Sequence, residues 1–188
     1  DMWSDWPDVD TKNITGTVGV TELSLAFDIV AASGARSITD DLFSKGISIS
    51  FDDSYFVPGG LCENAYACQI HYPGLSPPTE PALKPFIVFN SAYLADEPAV
   101  LAGVLVHEGT HFQQYLDGTL HHKKLGDLTT IDVEFRAFWN AAVYWGEVRL
   151  TVFPWLTVLE SDEESIYQLA QQGEAALRNE IGARYGSS

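Results

Sequence analysis

Residues 107–111 read HEGTH, two histidines four apart with a glutamate directly after the first. On a helix, residues four apart share a face, so His107 and His111 can present imidazole nitrogens to one cation. Glu108 lies about 100° further round, poorly placed as a ligand but within reach of a water beside the cation. A catalytic zinc takes three protein ligands and keeps one position open for water. The ion makes that water more acidic, and a nearby carboxylate carries its proton as it attacks a carbonyl. The HExxH spacing thus assigns metal binding to His107 and His111 and the general base to Glu108. A third ligand has to come from elsewhere.

Two residues compete for that place. Asp117 stands six after His111, and HEGTHFQQYLD fits the short frame HExxHxxGxxD. That frame needs a helix-breaking glycine where this chain has Gln114. The short-frame enzymes, the metzincins and their relatives, also carry a downstream methionine turn, whereas the one methionine here is Met2. Glu134 stands twenty-three after His111, within Thr130–Leu150, which reads as a long helix. Asp132, Arg136, Asn140 and Glu147 mark the solvated side of that helix. Ile131, Ala137, Phe138, Ala141, Trp145 and Val148 mark its apolar side, and Glu134 falls with them. A carboxylate in such company is costly unless it is paired or binds a metal. Basic residues are scarce, 10 in all, so Glu134 is the expected third ligand.

HExxH on one helix with a glutamate from the next resembles the gluzincin branch of the zincin metallopeptidases, and EFRA at 134–137 is similar to the ExxA form of its second helix. The matching motifs cover about residues 85–150. The resemblance implies an α+β, zincin-like fold forming a single catalytic domain over 1–188. A small mixed sheet and the HExxH helix would make an N-terminal lobe (1–118), and a mainly helical C-terminal lobe (119–188) would carry Glu134. It further implies one Zn2+ per chain and a peptide or protein substrate cleaved by metal-activated water. In gluzincins the strand before the metal helix edges the cleft and pairs with substrate backbone. Here that strand would be PFIVFNSAY, with Asn90 and Ala92 as substrate contacts. A downstream His or Tyr often steadies the oxyanion, but no histidine follows His122. Tyr144 and Tyr167 are the downstream phenols, with Tyr115, His121 and His122 also available. The same scaffold could instead hydrolyse a non-peptide or cell-wall amide, or hold zinc without catalysis.

The elements that must position these groups follow from local pattern. Leu23, Phe27 and Val30 recur at helical spacing in 21–33, with Gly34 as a stop. Gly46–Phe51, Ala65–Tyr72 and Pro85–Asn90 read as strands, with His71 a surface residue closing the second. Residues 73–85, holding five of the nine prolines, read as an ordered loop. Asp96 is a candidate cap and Pro98 a first-turn residue for the metal helix, which Gly118 ends. Leu101, Val104, Leu105, Glu108 and Phe112 share one of its faces, with HEGTH near its end. His121-His122-Lys123-Lys124 reads as a solvated loop. A third helix opens with a Ser161–Glu164 capping box and carries Ile166, Leu169, Gly173, Leu177 and Ile181 on one stripe.

Composition sets the outer limits. The 188 residues are 46% hydrophobic and 19% charged, as a packed globular chain requires. A net charge of −16 argues against nucleic acid and anionic membrane surfaces, which need clustered Lys and Arg. No apolar run approaches the roughly 18 residues of a membrane span. The N-terminus lacks a signal peptide's basic flank and apolar core, as a mature secreted chain would. Its Trp3 and Trp6 are expected to pack on the domain or to bind elsewhere. Cys62 and Cys68, six apart, can close a small disulfide loop, and Asn13-Ile14-Thr15 is a sequon. Together these imply an extracytoplasmic location, and the chain is expected to be a monomer.

Overall fold

The helical spacing of Leu23, Phe27 and Val30 does form a helix, α1 (Val20–Ala31), which buries those three with Ala26. The computed structural model describes residues 13–70, 85–152 and 161–186. Expectations for Trp3, Trp6, His71 and most of the proline-rich loop lie outside those residues. After α1, a short helix α2 (Arg36–Ser44) buries Ile38, Thr39 and Leu42.

The three strand-like runs become β1 (Ser48–Phe51), β2 (Ala67–Ile70) and β3 (Phe86–Phe89). Their order is β1–β3–β2, with β1 parallel and β2 antiparallel to β3. The FIVF run is apolar at every position because β3 is the central strand, covered on both faces. This corrects the expectation that PFIVFN forms a free cleft edge: β1 and β2 already occupy both of its sides. Among the described residues β2 is one edge strand, and the outer side of β1 is bridged at Ile49 by Ile14.

Helix α3 (Pro98–Leu116) runs under the sheet and carries HEGTH. Pro98 occupies its first turn as expected, but Glu97 is the cap position, and Asp96 accepts the Tyr66 hydroxyl instead. Fourteen of its nineteen residues are buried, so it is enclosed on nearly every side rather than amphipathic. Gly109 explains the approach of α2: a Cβ there would lie 2.2 Å from Ile38 Cγ2. Gly118, at φ 83°, ends α3 and opens α4 (Thr119–Leu125). The HHKK segment is therefore helical rather than a loop, although its side chains are exposed as expected.

Helix α5 (Thr130–Val152) packs against α3 and buries Val133, Ala137, Phe138, Ala141, Tyr144 and Trp145. Arg136 and Glu147 are exposed, but Asn140 faces α3 and donates to the buried Thr110 hydroxyl. The expected third helix is two, α6 (Asp162–Gln172) and α7 (Glu174–Tyr185). Gly173 sits between them at φ 115°, a backbone conformation that only glycine adopts without strain. The break folds α7 back so that Ile166 and Ala170 meet Leu177, Ile181, Phe138 and Ala142 in one apolar cluster. Most of the other buried apolar residues form a larger core between α1, α2, the sheet, α3 and α5. The protein is thus α+β, a small mixed sheet with seven helices among the described residues. None of those helices is long and apolar enough to cross a membrane.

Candidate metal centre

Helices α3 and α5 run antiparallel and are tied along their length. The Tyr144 hydroxyl donates to the Ala99 carbonyl at 2.9 Å, Asn140 to Thr110 at 3.1 Å, and Arg136 to Asp117 at 2.9 Å. Between these ties, HEGTH faces the first turns of α5. The Nε2 atoms of His107 and His111 lie 3.2 Å apart. Glu134 Oε2 lies 3.3 Å from the first and 3.4 Å from the second. These side chains are 12–15% exposed, so the three donor atoms converge in a largely dry place.

Among the described residues, none makes a hydrogen bond of acceptable geometry with the buried Glu134 Oε2. An orphaned carboxylate oxygen facing two imidazole nitrogens is a set that could hold a metal ion. No arginine neutralises it. All five arginines are engaged elsewhere: Arg36 with Asp40, Arg136 with Asp117, Arg149 with Glu164, Arg178 with Asp132 and Glu174, Arg184 with Asp162 and Glu180. Burial alone would push the Glu134 carboxyl up, but the two histidines outweigh it and hold it well below the usual carboxylate range. Burial likewise opposes a charged His111, but the carboxylates of Glu134 and Glu108 lift it to about 9.

The rival ligand Asp117 is turned away. Its Oδ1 accepts from the Thr119 backbone N–H at 3.0 Å, and its Oδ2 pairs with Arg136. Helix α3 runs unbroken through Gln114, so no turn brings Asp117 back to the histidines.

Glu108 is 8% exposed, and its Oε2 accepts the Gln69 backbone N–H of β2 at 2.7 Å. His107 and Glu108 form the floor of a cavity of 930 Å³. Ala65, Tyr66 and Ala67 line one side of it, and Phe138 of α5 with Tyr185 of α7 another. Alternation along β2 follows from the Tyr66 carbonyl accepting from Asn90 N–H. It turns the Ala67 backbone away from β3, in the same direction as Gln69. Asp96, Glu97 and Glu163 add acidic groups to the cavity wall.

Four expected site residues are placed elsewhere. Asn90 caps a turn by accepting from Ala92 N–H and donates to the Ala65 carbonyl; neither Asn90 nor Ala92 lines the cavity. Tyr144 is 1% exposed with its hydroxyl committed to Ala99, and Tyr167 lies under the Arg149 guanidinium and against Gly146. Neither phenol reaches the cavity. Tyr115 is buried, and His121 and His122 are exposed on α4. Three other phenols line it: Tyr66 and Tyr93 on the sheet side, the former with its hydroxyl committed to Asp96, and Tyr185 on the helical side. The Tyr185 ring packs on Phe138, 6.2 Å between centroids, and Phe138 packs on His107 at 4.5 Å. Burial and then the charges of Glu134 and Glu108 push the Tyr185 hydroxyl well above the usual range, so it stays protonated. A signal was present: Leu177, Ile181 and Tyr185 continue one stripe at spacing four.

The expected Cys62–Cys68 disulfide is formed, with Cα atoms 6.1 Å apart, and it closes the loop leading into β2. Compared with family models, curated proteins and solved structures, the chain finds no match in any of the three.

Proposed function

We propose that the protein is a zinc-dependent metallopeptidase whose ion is held by His107, His111 and Glu134. The observation that carries this reading is the donor triangle, with sides of 3.2, 3.3 and 3.4 Å. Ligands about 2.0–2.1 Å from a tetrahedral zinc stand roughly 3.3 Å apart. Two histidines and a carboxylate also suit zinc better than the hard, oxygen-seeking cations. Zinc bound there supplies a Lewis acid that acidifies water and polarises a carbonyl.

The chain's own groups do the rest. Glu108, oriented by the Gln69 N–H, takes a proton from the attacking water and gives it to the leaving amine. Tyr185 donates a hydrogen bond to the oxygen on which charge develops. The outward edge of β2 at Ala67 offers backbone groups to an extended peptide in the cavity. In this reading the sheet and α3 form one wall of a zincin-like cleft and α5–α7 the other. The disulfide supports an oxidising, extracytoplasmic setting.

The test is Glu108→Gln against wild type, assayed on an unfolded protein substrate such as casein. Retained zinc with nearly all turnover lost is expected, and full activity in the variant would sink the mechanism. Cleavage of small amides or cell-wall crosslinks, with casein untouched, would keep the chemistry and change the substrate class.

A further inference from the structure

Gln114 has no place in the ligand set, yet it is completely buried, 0% exposed, one turn after His111. A helical side chain leans toward the N-terminus, so a residue at i+3 reaches back over its neighbour. Gln114 does so: its Oε1 lies 2.8 Å from His111 Nδ1. Its amide nitrogen points the other way and donates to the Val133 carbonyl of α5 at 2.9 Å. A carbonyl can only accept, so the nitrogen of the amide must face Val133 and the oxygen must face the imidazole. His111 Nδ1 must then carry a hydrogen and donate it. Its Nε2, on the side facing His107 and Glu134, is thereby the nitrogen available for a metal. Val133 precedes Glu134, so one amide is bonded to a ligand of α3 and to the backbone beside the ligand of α5.

Resting on the metal reading above, we infer that Gln114 is the positioning residue of the centre, fixing which His111 nitrogen faces the ion and the spacing between the two ligand-bearing helices. It stands at the position where the short HExxHxxG frame would place glycine. A glycine there would end the helix. Glutamine continues it and binds across to α5, which suits a third ligand from a separate helix. Groups that orient metal-bound histidines in this way typically change metal affinity about 10–100-fold when removed.

The experiment compares zinc affinity, by competition with a chromophoric chelator, in wild type, Gln114→Met and Gln113→Met. Methionine matches the length of glutamine and neither donates nor accepts strongly. Gln113 is the control because its amide bonds Asp41 on α2, away from the ligands. Zinc binding about 10–100-fold weaker in Gln114→Met, with Gln113→Met unchanged, is expected. The visible spectrum of the cobalt-substituted variant should also lose the wild-type pattern. Equal affinity and an unaltered spectrum would overturn the role of Gln114 while leaving the metal reading intact. A wild-type chain that takes up no zinc would overturn the metal reading itself. If Gln114→Met does not fold, the zinc-loaded wild type decides by NMR. The inference requires a slowly exchanging proton on His111 Nδ1, and a proton on Nε2 with the metal at Nδ1 would contradict it.

Discussion

His111 in the metal-free chain holds a proton up to about 9, because burial is outweighed by the carboxylates of Glu134 and Glu108. A metal has to displace that proton. Apparent affinity therefore rises with pH as His111 gives up its proton and levels off above about 9. Below that point each pH unit costs about tenfold in affinity. Chelator competition between pH 6 and 9, with proton release measured in parallel, checks this, and an affinity flat in pH would contradict it. Tyr185 lines the cavity from the helical side. Tyr185→Phe should keep zinc and lose about 10²–10³ in kcat, the usual effect of removing one donor to a developing oxyanion. Tyr144→Phe should leave kcat near wild type and cost about 1 kcal/mol of stability, because its hydroxyl serves only the Ala99 carbonyl.

At the scale of elements, the metal helix is held by close packing as much as by its own sequence. Gly109→Ala drives a methyl to 2.2 Å from Ile38 Cγ2, so α2 or Ile38 has to shift. Such overpacking costs about 1–3 kcal/mol, and combined with Ile38→Ala it should cost less than the sum of the two. Urea unfolding of the two single variants and the double variant measures the coupling, and simple additivity would show that α2 does not press on the motif. Local pattern made much of the fold legible. The spacing of Leu23, Phe27 and Val30, the FIVF run, and the Pro98-to-Gly118 punctuation each describe one element on its own. His107, His111 and Glu134 were legible too, since their clue was a carboxylate on the apolar side of one helix. What could not be read depends on partners distant in the chain. That β3 is central rather than an edge is a fact about β1 and β2. Gly173 fits a helical stripe as well as it fits a break, and only the break folds α7 back to bring Tyr185 over Phe138. Asn140 reads as solvated because its partner, Thr110, lies on another helix.

Across the whole molecule, two adjacent glutamates on α6 respond to acid in opposite ways. Glu164 accepts from Arg149 and Trp145 beneath α5, and despite its burial its carboxyl is held down to about 2. A depressed folded-state value contributes stability above about 4.5, lost as pH falls toward about 2. Removing its charge strands Arg149, so Glu164→Gln should cost about 3–5 kcal/mol at neutral pH. Its neighbour Glu163, on the cavity wall, is pushed up to about 7 by burial and by the charges of Asp162 and Asp96, which outweigh the pull of Arg184. Its contribution is therefore present below about 4.5 and lost as pH rises through about 7. Glu163→Gln should raise Tm at pH 8 and leave it unchanged at pH 4, and a lower Tm at pH 8 would contradict this. Glu163 borders the same cavity as His107 and Glu108. Joint binding of one ion by α3 and α5 is checked by zinc per chain, from elemental analysis of wild type, Glu134→Ala and Asp117→Ala. About one zinc in wild type and Asp117→Ala, with clear loss in Glu134→Ala, is the predicted result. Loss confined to Asp117→Ala, or no zinc in any of the three after reconstitution, would contradict it.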